Sequence, residues 1–150
     1  MAKKYKFKLQ GLMKLREFKE KRVKLELGEI VSEIQNLKDE ITAIEKQIDE
    51  AYESFHATSK NGADGKFLQF YPFYIQGKRE DIKNKENLIY SLERRMEVKR
   101  KELSEARGEV KVLENLREKE FTAWKKETMK KAQEDIDDLM TIRRNLEKGH

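Results

Sequence analysis

The sequence predicts an all-α protein: a long antiparallel two-helix coiled-coil hairpin with an overhanging C-terminal helix segment. Three observations carry that expectation. Apolar residues between Leu27 and Phe55 recur by threes and fours, the same seven-residue frame returns after Ile75, and one short stretch rich in turn formers separates them. Composition agrees, because 42% charged and 37% hydrophobic residues suit long charged helices better than a globular core.

The 150 residues read as a single hairpin, with helix 1 over about 8–56, a turn over about 57–66 and helix 2 over about 67–147. In helix 1 the seam is Leu27, Ile30, Ile34, Leu37, Ile41, Ile44, Ile48, Ala51 and Phe55. That is an a/d pattern over four heptads, and such a stripe needs a partner helix. Further back, Leu9, Leu12, Leu15 and Phe18 depart from the frame of Val23 and Leu27, so the register is expected to slip there.

The turn is placed at "HATSKNGADG", His56 to Gly65, where Asn-Gly and Asp-Gly resist helix continuation. Pro72 then sets the start of helix 2 between Lys66 and Tyr71, since proline is tolerated only in a first turn. The second seam runs through Ile75, Ile82, Ile89, Leu92, Met96, Leu103, Ala106, Val110 and Leu113, interrupted by Lys78, Lys85 and Lys99. With the turn centred near Ala63, Leu27 falls near Lys99 and Leu9 near Arg117. The rest of helix 2 has no long partner segment, yet Met129, Ala132, Ile136, Leu139 and Leu146 keep helical spacing. That tail either overhangs or docks on something else.

Motifs for catalysis or cofactor binding are missing from the sequence. There are no cysteines, and the two histidines, His56 and His150, lie at a predicted loop edge and at the last residue. Neither G-x-G-x-x-G nor G-x-x-x-x-G-K-[ST] occurs, so no phosphate cradle is expected. The adjacent carboxylates Asp137 and Asp138 diverge by ~100° on a helix. The expectation is a protein that is not an enzyme and takes no cofactor, metal or small-molecule substrate. The cysteine-free composition suits a reducing compartment, and no stretch approaches the ~20 apolar residues of a membrane span, so a cytoplasmic location is expected.

Charge is gathered at one end. Residues 1–24 hold ten Lys/Arg against Glu17 and Glu20, a balance of +8 in a chain of net +5, which leaves −3 for the remainder. Such a cluster is either a solvated helix start or an electrostatic plug for an acidic cavity or nucleic acid.

The opening "YKFKLQGLMKLREFKEKRVKLELGEI", the aromatic block "FLQFYPFYIQGKREDI" and the charged "LERRMEVKRKELSEARGEVKVLENLREKE" together resemble the FliJ family of flagellar type III export proteins. The resemblance covers nearly the whole chain. It implies a stalk similar to the antiparallel coiled coil of the rotary ATP synthase gamma subunit. Its terminal end would associate with the hexameric export ATPase, its body would contact the cytoplasmic domain of the export gate, and it would help handle export chaperones. Location would then be cytoplasmic, peripherally at the inner-membrane export apparatus through those partners.

On the resemblance, Tyr52, Phe70, Tyr71, Tyr74 and Gln76 match the gate-contacting surface, while Lys78 stands where the family often has an apolar residue. Phe73 joins that candidate surface because rings at 73 and 74 diverge by ~100° and cannot both face helix 1. The aromatic cluster is otherwise a plain clamp on the turn. Lys14, Arg16, Lys21 and Arg22 are the candidate ATPase contacts, and Trp124 is expected to pack against Leu9 or its neighbours. Two other readings stay open: the equivalent stalk of an injectisome, and a basic coiled-coil nucleic-acid binder, which calls for Lys/Arg along one face rather than at one end.

Overall fold

Large aliphatic side chains spaced for a seam and almost no helix breakers yield two long helices in the computed structural model, which describes residues 4–62 and 65–149. Helix α1 spans Gln10–Lys60, a short α2 spans Gly65–Leu68, and α3 spans Phe70–Lys148. Among the described residues there is no strand. The two long helices pack against each other in antiparallel fashion, as the sequence predicts.

Helix α1 runs to Lys60 rather than stopping near 56, because Ala57, Thr58, Ser59 and Lys60 place no demand on the backbone that a helix cannot meet. The stop comes at Gly62, whose φ of 73° puts it in the left-handed region that ends helices. Its N–H donates to the Ser59 carbonyl at 3.3 Å, and that of Asn61 to Ala57 at 3.2 Å. Ala63, the expected centre of the turn, lies outside the described residues. The break at Gln69 follows from Pro72, which has no N–H to offer the Leu68 carbonyl and whose ring would crowd it. Pro72 therefore sits in the first turn of α3, which starts at Phe70.

The chain divides into two compact units. In Arg22–Ser104 the core is the predicted seam in two clusters. Ile30, Ile34, Leu37, Ile89 and Leu92 form one, with Ile41 and Met96 packed against it. Ile44, Ile48, Ala51 and Ile75 form the other, flanked by Tyr71, Tyr74 and Ile82. Val23 and Leu103 are also buried, and Leu27 and Phe55 half-buried. Two of the lysines interrupting the second seam are matched across the helices: Lys85 lies 3.2 Å from Glu40 and Lys99 2.6 Å from Glu26.

The second unit comprises Met1–Lys21 and Glu105–His150. Phe7, Met13 and Leu113 form its core with Tyr5 against them, and Ala106 and Val110 are buried as well. Here the expectation of a register slip is corrected. Stepping back from Val23 by three and four reaches Glu20, Arg16 and Met13, and Met13 is only 1% exposed. The frame continues, but two of its positions are charged: Arg16 bonds Glu109 at 2.9 Å and Glu20 lies 3.5 Å from Arg107. Leu9 also falls on it, four before Met13 and just ahead of α1, where it is 37% exposed, whereas Leu12, Leu15 and Phe18 lie off it and are exposed. Beyond Trp124, every described side chain of α3 is exposed.

Candidate functional site

The first turns of α3 pack their rings on both sides of the seam. Tyr71 faces α1, its ring edge-on to Phe55 at 5.6 Å and its hydroxyl 3.5 Å from that of Thr58. On one flank, Phe70 stacks on Tyr74 at 5.8 Å and the Lys78 ammonium sits 5.4 Å over the Tyr74 ring. The other flank opens into a groove of about 460 Å³ lined by Tyr52, Phe55, His56, Tyr71, Pro72, Ile75, Gln76 and Arg79. Arg79 spans it, donating from Nη2 to the Tyr52 hydroxyl at 2.7 Å.

The structure thus distributes the sequence-predicted residues over three faces. Tyr52, Tyr71 and Gln76 share the groove, and Phe70 and Tyr74 share the opposite flank. Phe73 stands apart, 80% exposed and the most exposed large apolar side chain described. Phe73 makes no ring contact among the described residues, whereas Tyr71 and Tyr74 pack against the core. The side chain of Phe67 lies outside the described residues. His56, Pro72 and Arg79 join the groove without having been singled out. Arg79 was legible in principle, lying three residues after Gln76 and seven after Pro72 on one helical face.

At the other candidate surface, Lys14 and Lys21 are exposed and make no ion pair among the described residues. Arg16 and Arg22 differ from them. Arg16 is held by Glu109, which Lys19 also approaches at 3.8 Å, and Arg22 lies 3.9 Å from Glu26. Trp124 packs against Tyr5, four residues before Leu9, at 5.6 Å and against Phe121 at 6.0 Å, with the Tyr5 hydroxyl donating to the Arg117 carbonyl at 3.4 Å. Burial there, and then the neighbouring Glu120 carboxylate, push the Tyr5 phenol above its ordinary pKa. Tyr5 and Phe7 precede α1, so no helical period could have disclosed their part in the core.

No cluster of three metal-ligating side chains occurs among the described residues, and no described helix is long and apolar enough to cross a membrane. No curated protein and no solved structure matches the chain. Residues 5–148 match the family described as flagellar FliJ protein, which covers both long helices and the aromatic turn. The chain therefore belongs to the FliJ family, a family of the flagellar export system.

Proposed function

We propose that this chain is a non-enzymatic stalk of the flagellar type III export apparatus. It works in the cytoplasm, peripherally at the inner membrane through its partners. Its basic end, carrying Lys14, Arg16, Lys21 and Arg22, associates with the hexameric export ATPase. Its aromatic turn contacts the cytoplasmic domain of the export gate, and the chain assists the handling of export chaperones.

The observation that carries this reading is the family match over residues 5–148. The geometry supports it at both ends. Lys14 and Lys21 are exposed cations without an ion pair among the described residues, and Phe73 is a largely exposed ring suited to anchor a partner. Arg16 instead positions the helix pair through Glu109, so its reversal would perturb the fold as well as any partner.

Association of the purified chain with purified export ATPase, read by pull-down and by stimulated ATP hydrolysis, tests the proposal. Lys14→Glu with Lys21→Glu should weaken both while leaving the helical melting curve in place. The loss should resemble that caused by high salt, since exposed charges are screened over ~8–10 Å near physiological ionic strength. Equal stimulation by the double variant and the native chain at low salt would leave the basic end without this role.

A further inference from the structure

The start of the chain holds apolar side chains and cations in water together. Ahead of α1, residues 4–8 form a strap whose side chains alternate: Tyr5 packs on Phe121 and Trp124 and Phe7 joins the core of Met13 and Leu113, whereas Lys4, Lys6 and Lys8 are exposed. None of these three lysines makes an ion pair among the described residues. In α1 itself, Met13, Arg16 and Glu20 meet α3, which puts Leu15 and Phe18 on the opposite face, 64% and 66% exposed. Lys14 and Lys21 stand four before and three after Phe18, so they lie beside it on that outer face, and Leu12 adjoins Leu15. Of the nearby acids, Glu20 is drawn to Arg107, and Glu17 borders the face only beyond the two lysines.

We propose that this outer face of α1 adsorbs to an anionic lipid bilayer, with Leu15 and Phe18 among the headgroups and the lysines at their phosphates. Charge and apolar surface coincide there, as an interfacial helix requires. The residue types favour lipid over a protein partner. The unpaired cations described up to Lys21 are Lys4, Lys6, Lys8, Lys14 and Lys21, and lysine is depleted from protein contacts while leucine is scarce among their hot spots. A lysine ammonium is a hydrated point charge, which suits a diffuse layer of phosphates better than one shaped site. The face is also the convex outside of one helix, with α3 packed behind it, so a flat surface meets it without a matching groove. Two large apolar side chains bury too little area to hold the chain alone, so adsorption needs the lysines and is reversible. The contact belongs to the chain itself and does not depend on the ATPase or gate reading. Because Lys14 and Lys21 serve both surfaces, bilayer and ATPase compete for this end.

The test is flotation of the full chain, with no other protein present, on vesicles of phosphatidylcholine alone or mixed equally with phosphatidylglycerol. The expected result is binding to the anionic vesicles that high salt reduces, and none to the neutral ones. Lys4→Gln, Lys6→Gln and Lys8→Gln together should weaken that binding about tenfold or more. Leu15→Ser with Phe18→Ser should do the same at unchanged charge. Circular dichroism should show native helix in both variants, as none of the five side chains is buried. A native chain that ignores anionic vesicles at low salt overturns the proposal; if it still stimulates purified export ATPase, the basic end serves a protein alone and the ATPase reading stands. Equal binding to neutral vesicles overturns it too. So does adsorption that the lysine variant loses and the Leu15 and Phe18 variant keeps, because that is attraction to any polyanion without insertion.

Discussion

The Lys99 ammonium lies 2.6 Å from the Glu26 carboxylate across the helix pair, at a seam position where an aliphatic residue would ordinarily sit. Lys85 repeats the relationship with Glu40, displaced by the same two heptads on both helices. A lysine in a seam keeps its stem among apolar neighbours and turns its charge to the edge, where a carboxylate from the opposite helix meets it. Such pairs restrict register more than they add stability, because a slip by one heptad in either direction would bring only one of the two lysines level with a carboxylate, that of Glu33.

These pairs also fix how stability depends on pH. Hydrogen bonding to Glu26 raises the pKa of Lys99, and hydrogen bonding to Glu40 raises that of Lys85. The Lys99 bond in turn lowers the pKa of Glu26. The lysine contributions are complete below the unfolded-state value of ~10.4 and are lost as pH rises through the folded value. The Glu26 contribution is present above ~4.3 and is lost as pH falls through its depressed folded value. Thermal melts should therefore show Glu26→Gln less stable than the native chain at neutral pH, with the difference shrinking below pH ~4. A difference independent of pH would mean that the ion pair contributes nothing.

Leu92 is 3% exposed in the central cluster and its near neighbour Leu88 is 47% exposed. Leu92→Ala should lower unfolding free energy by ~2–5 kcal/mol in urea titrations, through lost burial and the cavity left behind. Leu88→Ala should stay within about 0.5 kcal/mol of the native chain. Comparable losses at both positions would contradict the placement of the seam.

Most of this packing was legible in the sequence where the seam is aliphatic. From Leu27 to Phe55, burial and periodicity coincide, so spacing alone identified the core. At the start of α1 they part: Arg16 and Glu20 occupy seam positions while Leu12, Leu15 and Phe18 do not, so tracing apolar residues led to the wrong face. Only the opposing charges of Glu109 and Arg107 on α3 make those positions viable, and that pairing depends on the register. The aromatic turn was legible as composition, but its division into a groove, a stacked flank and a lone ring depends on where Pro72 starts α3.

The corrected frame makes its own prediction at Met13 and Phe18. Met13 is 1% exposed and Phe18 66% exposed, although phenylalanine is the larger and more hydrophobic of the two. Met13→Ala should cost ~2–5 kcal/mol, whereas Phe18→Ala should change stability by no more than about 0.5 kcal/mol. The fluorescence of Trp124, the only tryptophan, reports unfolding of the unit that contains Met13. The reverse order of losses would restore the slipped register.

At the aromatic turn, Phe73 and Tyr71 separate binding from folding. Phe73 is 80% exposed, while Tyr71 packs its ring edge-on to Phe55 and supports the cluster of Ile44, Ile48, Ala51 and Ile75. If Phe73 is the anchor for the export gate, Phe73→Ala should leave the melting temperature within a few degrees and weaken binding to the gate's cytoplasmic region by ~2 kcal/mol or more, the scale of an interface hot spot. Tyr71→Ala should lower both, because removing a half-buried ring disturbs the helix pair that presents the surface. Calorimetric titration with the purified gate domain, beside thermal melts of each variant, distinguishes the two effects. A Phe73→Ala chain that binds the gate normally would assign the aromatic cluster to clamping the turn, and the groove between Tyr52 and Arg79 would become the surface to test next.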